Sequence, residues 1–412
     1  MSAEPSESSQ RTHADPSRIA QSSRDPGPFR RWMMSRLLWR QADPNRRRAL
    51  LASQDKQLRA EAAVELHFFH QPGEPHSELA LQALPRIADR YKLKPQLHLV
   101  PGPSGANNPE PELLPLMAAN DARRVAPYYG LQADASGDLP LSPVSQPEAG
   151  AALQRSLGHY GSGMFYLGGV WYWGVDRLCH LEARLRELGF DTQPDEPFCF
   201  ARPSERVAEG AGRGLTLEFY GSLRSPYTAI AWPRARALCE KSGIRLALKP
   251  VLPMVMRGAP VSRVKGFYIF GDTAREAEWH GQRFGPFYDP IGEPVKRAYR
   301  LLPALRASGQ FDGFYGAFLR AAFQQGRNLS TRRGFCRLLE DCNLDKSLWQ
   351  QASANTAMPE EIENNRLAMY ALPSWGVPTI RLVDERGEEL FHAFGQDRLW
   401  LVARYLEQRV PG

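Results

Sequence analysis

Ser225-Pro226-Tyr227-Thr228 is the short step with the clearest chemical potential in this 412-residue chain. It follows LTLEFY (215–220), which alternates in the manner of a strand, and it runs into a stretch that reads as a helix. Proline suits the first helical turn, because that position needs no N–H donor. Ser225 then falls at the N-cap, where unpaired backbone N–H groups and the helix dipole favour a negative partner. A thiolate held there would be stabilised, and the serine hydroxyl could donate one further hydrogen bond to it. Simple capping of the helix would also account for Ser225.

Further along stand Lys265, Tyr268, Asp272 and Arg275, spaced as K-x-x-Y-x-x-x-D-x-x-R. Asp272 and Arg275 are three apart on an expected helix and could simply pair with each other. Val377-Pro378-Thr379 precedes another strand-like run. A rigid turn explains the proline as well as a ligand contact does. Gln396-Asp397-Arg398-Leu399 opens DRLWLVARYLEQR, which also reads as the capped start of an amphipathic helix.

These residues sit in elements that occur twice. VELHFF (64–69) matches LTLEFY (215–220), and Glu74-Pro75 matches Ser225-Pro226. Asp121, Arg124, Ala126 and Gly130 match Asp272, Arg275, Ala277 and Gly281, and all of these pairs lie 151 residues apart. Gly174-Val-Asp-Arg-Leu178 matches Gly395-Gln-Asp-Arg-Leu399 at a spacing of 221, so the second copy holds 70 more residues before that segment. In that interval VKRAYRLLPALRASGQ, FYGAFLRAAFQQG and TRRGFCRLLEDC show helical spacing of apolar residues. The first copy has loop-like DASGDLPLSPVSQPEAG instead, with room for little more than one helix.

FYGSLRSPYTAIA resembles the active-site segment of the DsbA superfamily, and more closely its 2-hydroxychromene-2-carboxylate isomerase and kappa-class glutathione transferase branch. In that branch the first cysteine of the oxidoreductase motif is a serine, here Ser225, and the second is a non-cysteine, here Thr228. The K-x-x-Y-x-x-x-D-x-x-R-x-A-x-x-x-G run from Lys265 to Gly281, G-V-P-T at Gly376-Val377-Pro378-Thr379 and the closing G-x-D-R-L extend the likeness over 215–408. The resemblance implies an α/β fold of two tandem thioredoxin-like, DsbA-type domains, the second with an inserted helical subdomain and the first reduced. It implies a cis Pro378 and a glutathione site. Ser225 would hold the thiolate, Val377 would pair with the peptide backbone, and Lys265 would meet the glycyl carboxylate. Gln396 and Asp397 would take the γ-glutamyl end, with Tyr227, Thr228, Tyr268, Asp272 and Arg275 in support. The branch's asparagine upstream of the lysine is missing from VLPMVMRGAPVSRVK, which bears on substrate positioning.

The first copy has lost these features. Glu74 replaces the reactive residue, Leu114 stands where Lys265 would be matched, and Gly163 falls where Pro378 would be. A carboxylate at the helix start would repel a thiolate, so this copy reads as structural or as a pairing surface.

Composition bounds the rest. The five cysteines are irregularly spaced with no C-x-x-C, which argues against a disulfide framework, a metal site and a dithiol redox centre, and for a reducing, cytoplasmic setting. A net charge of +7 comes without zinc-finger or RRM spacing, so no nucleic-acid partner is expected. Residues 1–27 read as a disordered tail rather than a signal peptide, and no window is long and apolar enough for a transmembrane segment. Residues 28–60 form a basic amphipathic helical segment, expected to pack on the domain that follows or to dock on a membrane surface or partner. The first domain is set at 61–191, the linker at 192–213 and the second domain at 214–412, with its insertion at about 290–372.

The function expected is a glutathione-dependent isomerase or transferase acting on a small hydrophobic or aromatic acid. The alternative is a non-catalytic DsbA-like binding or scaffold protein. A thiol-disulfide oxidoreductase comes third, because neither reactive position is a cysteine. A homodimer is possible on the resemblance, although the first copy could occupy that surface from within.

Overall fold

The computed structural model describes residues 25–133, 140–259 and 261–409. The expected tail therefore lies outside the described residues up to position 24. The first half runs α1 (Pro28–Ala42), α2 (Pro44–Ala60), β1 (Glu65–His70), α3 (Pro75–Arg90), β2 (Lys94–Leu99), α4 (Leu113–Val125), α5 (Pro147–Ser156), β3 (Met164–Leu167), β4 (Val170–Trp173) and α6 (Leu178–Glu187). The second half runs β5 (Thr216–Gly221), α7 (Pro226–Ser242), β6 (Arg245–Pro250) and α8 (Arg263–Trp279). Six helices come next: α9 (Glu293–Arg300), α10 (Leu302–Ala307), α11 (Phe311–Phe323), α12 (Arg332–Asp341), α13 (Leu348–Ala354) and α14 (Glu360–Ala371). The chain closes with β7 (Thr379–Val383), β8 (Glu389–Phe394) and α15 (Leu399–Arg409).

Each half holds a four-stranded sheet, ordered β2-β1-β3-β4 in one and β6-β5-β7-β8 in the other. The central strand pairs in parallel with the strand after its crossover helix, and antiparallel with the third strand. Leu66 faces Pro95 in the first sheet and Leu217 faces Leu246 in the second, so the registers agree at positions 151 apart. Leu66 and Phe68 on β1, like Leu217 and Phe219 on β5, are wholly buried, which is the alternation that identifies both strands from sequence.

The two halves differ in the helices inserted between the second and third strands of each sheet. In the second half, α9 to α14 come between α8 and β7, and α11 is buried on nearly every side. Its Tyr315 meets Trp232 of α7 edge to face at 5.4 Å, tying the helical insert to the sheet's crossover helix. In the first half a short 3-10 turn (Ala126–Tyr129) and α5 stand between α4 and β3 among the described residues. Buried apolar residues of both halves form one continuous cluster.

The basic segment is two helices, broken where Asp43 ends α1 and caps α2 through the N–H groups of Asn45 and Arg46. Only α2 packs on the domain that follows, through Leu58 beneath Gly168 and an ion pair from Asp55 to Arg184. By contrast, α1 crosses to the second half. Its Arg31 donates to the carbonyls of Asp289 and Ile291, and Ser35 accepts from the Asp289 N–H. The linker contains no helix or strand but is strapped down. Arg90 donates to the carbonyls of Gln193, Glu196 and Pro197, and Glu182 accepts from the N–H groups of Cys199 and Phe200.

Candidate functional site

The end of β5 turns at Ser222, whose carbonyl accepts from the Ser225 N–H, and α7 begins at Pro226. Ser225 is the N-cap: its hydroxyl oxygen accepts from the Thr228 N–H at 3.1 Å and its proton points to the Val377 carbonyl at 3.3 Å. The Val377–Pro378 bond is cis. Ser225 and Val377 are both half-buried and therefore reachable. Thr228 is wholly buried, and its hydroxyl turns inward to accept from the Ser222 N–H, so it supports the turn and does not face the site.

Lys265 lies beside this step at the start of α8. Its ammonium sits 5.4 Å over the Trp375 ring and donates to the Asn107 carbonyl at 3.1 Å. Burial lowers its pKa to about 8. Asn107 belongs to the first half, and its side-chain oxygen also accepts from Ser262, the cap of α8. Glu110 accepts from Tyr370, and Ser374 reaches the Met117 sulfur at 4.0 Å. The chain from the end of β2 into α4 thus lies against the second half near Lys265 and Trp375.

The other residues picked from sequence are gathered into an ionic network between the halves. Tyr227 donates to Asp272 at 2.7 Å. Asp272 also accepts from Arg275 on its own helix and from Arg177 of the first half. Asp397 accepts from Arg177 at 2.5 Å, and its second oxygen lies 3.5 Å from Arg398. Gln396 accepts from Arg234 and donates to Glu276. Glu276 further holds His180 and Arg202. Tyr268 does not join: its buried hydroxyl has no partner among the described residues, and its ring packs edge-on against His159 of the first half.

The network repeats itself across the interface. Arg177 binds Asp272 and Asp397; Arg398 binds Asp121 and Asp176. Arg275 donates to the Trp171 carbonyl, and Arg124 donates to the His392 carbonyl. Each of these contacts from one half to the other has a counterpart at the matched positions. Within the halves, His76 meets Asp121 as Tyr227 meets Asp272, and Ser77 accepts from the Gln71 N–H as Thr228 does from Ser222. This is the pattern of an isologous, two-fold contact.

Electrostatics follow from this packing. Burial alone would raise the Asp272 carboxyl, but Arg177 and Arg275 hold it well below the usual carboxylate range. Asp121 is held down in the same way, against its burial, by Arg398 and His76. Burial, with Asp272 adding to it, pushes the Tyr227 hydroxyl well up, so it stays protonated and donates. All five cysteines are free; Cys179 and Cys239 are buried, which pushes Cys239 up to about 12. Among the described residues no cluster of His, Cys, Asp and Glu could hold a metal ion, and no helix is long and apolar enough to cross a membrane.

In the first half the equivalent helix start is capped by Glu74, whose carboxylate accepts from the N–H groups of His76 and Ser77. Gly163 precedes β3 with φ +65°, and a Cβ there would come within 3.2 Å of the Ser77 backbone. Glu74 is half-buried at the position matched to Ser225, and Gly163 is buried at the position matched to Pro378.

A family model, the DSBA-like thioredoxin domain, matches residues 216–407. That match runs from β5 into α15, just under half of the chain. Solved structures are similar to this chain over about half of its length. A 2-hydroxychromene-2-carboxylate isomerase is 17% identical with a TM-score of 0.40, covering 47% of this chain and 95% of that one. The cytosolic disulfide reductase DsbM of Pseudomonas aeruginosa is 20% identical with a TM-score of 0.36, covering 48% of this chain and all of that one. A probable DsbA oxidoreductase of Streptomyces coelicolor is 16% identical with a TM-score of 0.37, covering 48% and 92%. DsbM has also been solved with GSH. No curated protein matches the chain.

Arg177, Arg202, Glu276, His180 and Asn107 do not stand out from sequence as site residues. A signal for Arg177 exists: it lies in the G-x-D-R-L segment of the first copy, matched to Arg398. Nothing local marks Asn107, whose position depends on how the halves dock.

Proposed function

We propose that the chain is a fused pair of DsbA-type units in which only the second keeps a working site, and that this site serves a glutathione-dependent isomerase or transferase. The observation that carries this reading is Ser225: a reachable hydroxyl at a helix N-cap, 3.3 Å from the carbonyl that precedes a cis-proline. Free helical N–H groups and the Ser225 hydroxyl would hold a thiolate without any protein thiol. The half-buried Val377 backbone would pair with the peptide, and Lys265 would turn its ammonium from the Asn107 carbonyl to the glycyl carboxylate. Glutathione, when bound, supplies a thiolate that adds to an electrophilic carbon or double bond of a small hydrophobic or aromatic acid. The first half is the internal partner, occupying the surface a second copy would otherwise use. The free thiols suit a reducing, cytoplasmic setting.

One observation favours the second reading, a binding or scaffold protein. Gln396 and Asp397, which the resemblance assigns to the γ-glutamyl end, are engaged by Arg234, Glu276 and Arg177. Asp397 retains acceptor capacity on its second oxygen, with its side chain 14% exposed. Calorimetric titration of glutathione into the wild type and Ser225→Ala separates the readings. Saturable binding that weakens in the variant supports the enzyme and justifies a substrate screen. Absence of binding to the wild type leaves the scaffold.

A further inference from the structure

Helix α1 is clamped to the second half by one face and presents a different chemistry on the other. Arg31, Ser35, Leu38 and Ala42 are buried, and Arg31 fixes the helix through the Asp289 and Ile291 carbonyls at 2.9 and 2.6 Å. On the opposite face Phe29, Trp32, Met33 and Leu37 are 73%, 46%, 38% and 37% exposed. At helical spacing, Arg36 and Arg40 lie among them, and Arg30 flanks them; all three are exposed. Among the described residues none of these three arginines has an ion-pair partner. Phe29 stacks on Trp32 at 6.0 Å and the Arg36 guanidinium lies 5.4 Å over the Trp32 ring, so the apolar and cationic groups form a single surface. Arg46, Arg48 and Leu50 of α2 add to the exposed groups.

Charge is distributed to match. Residues 28–60 contain nine Arg or Lys and two Asp, a net +7, which is the net charge of the entire chain. The other residues sum to neutrality. The positive field therefore arises from the segment that carries the exposed aromatic side chains.

We infer that α1 docks this protein on an anionic phospholipid surface. The aromatic and aliphatic side chains enter the boundary between headgroups and acyl chains, while the arginines reach lipid phosphates on either side of them. A helix held rigidly on a folded body keeps this face outward without folding on contact. Interleaved arginine and large apolar groups fit a membrane interface, where both are satisfied at one depth. A protein groove would have to match each of them separately. The surface is remote in kind from the Ser225 step, and the inference stands whether or not glutathione binds.

The test is co-sedimentation of the full chain with vesicles of phosphatidylglycerol and, separately, of phosphatidylcholine. Binding to phosphatidylglycerol is expected to be at least about tenfold tighter, and to collapse at high salt. Arg36→Glu/Arg40→Glu is expected to lower it by about tenfold or more, and Trp32→Ser to lower it at unchanged charge, with circular dichroism and thermal midpoint unaltered. Equal binding to both lipids, or phosphatidylglycerol binding indifferent to both variants, overturns the inference. So does a wild-type dimer in sedimentation velocity that Trp32→Ser dissolves, which would assign the face to a second copy.

Discussion

The Arg177 guanidinium and the Asp272 carboxylate, 95 residues apart in the chain, are joined by hydrogen bonds of 3.0, 3.1 and 2.9 Å. Arg398 grips Asp121 in the same manner, at 2.9, 2.9 and 2.7 Å. Each half thus lends the arginine of its G-x-D-R-L segment to the aspartate of the other half's D-x-x-R segment. Desolvating so many charges is costly, and the pairs return that cost only while both partners are in place. The interface is therefore a fastener whose loss exposes the whole penalty.

Arg177→Met is expected to destabilise the protein by about 3 kcal/mol, because Asp272 and Glu276 stay buried with fewer partners. Arg177→Met/Asp272→Asn should recover part of that loss. The measurement is the urea midpoint followed by circular dichroism. A single-variant cost below about 1 kcal/mol, the range of exposed pairs, would show that the network does not hold the halves together.

How much of this is legible in sequence depends on the scale of the interaction. The strands around Phe68 and Phe219, the helix start at Ser225 and the helical insert all follow from local periodicity and caps, and they appear in the structure. Asp397 is different. Its position before a helix suits a ligand contact and a cap alike, and the structure gives its carboxylate to Arg177, 220 residues away. The recurring segments contain the clue, since D-x-x-R and G-x-D-R-L stand in both halves although the first has Glu74 and Gly163 at the positions matched to Ser225 and Pro378. Of the residues common to those segments, the charged ones, Asp121, Arg124, Asp176 and Arg177 in the first half, all reach across the interface. The direction of α1 is not legible, because a basic amphipathic helix does not encode which half it will lie on.

Lys265 separates function from stability. Burial lowers its pKa from 10.5 to about 8, so keeping it charged at neutral pH opposes folding. Lys265→Met should therefore raise stability, by up to about 1 kcal/mol after allowing for partial solvent access. If the ammonium receives a carboxylate of bound glutathione, the same variant should weaken binding by about tenfold. Thermal unfolding and calorimetric titration of one variant read both effects. A parallel loss of both would show that Lys265 is only a packing residue beneath Asn107.

The thiolate-stabilising character of the helix start can be tested without glutathione. Ser225→Cys places a thiol where the Thr228 N–H and the dipole of α7 converge. Its pKa is expected to fall by about one unit or more below the ordinary 8.5. The pH dependence of alkylation by iodoacetamide, taken relative to the wild type, reports it. A pKa at or above the ordinary value would mean that the N-cap does no more than start the helix.

Acid should loosen the protein in two stages. His98 and His180 are held to a pKa of about 4 and His159 to about 3, in each case chiefly by burial. Between those values and the ordinary 6.5 the unfolded chain binds more protons, so this stability is complete above 6.5 and drains as the pH falls. Asp121 and Asp272 sit below the ordinary 3.8, so their contribution persists to lower pH and is lost in a second stage. His76 has the opposite sign. Burial lowers it, but the hydrogen bond and charge of Asp121 outweigh burial and raise it, so its contribution is full below 6.5 and fades as the pH rises through the folded-state value. The expected result is a urea midpoint that declines from about pH 6.5 downward, with His159→Phe giving a shallower decline because one buried imidazole no longer has to charge. A midpoint unchanged from neutrality to about pH 5 would show that these rings reach water in the folded protein.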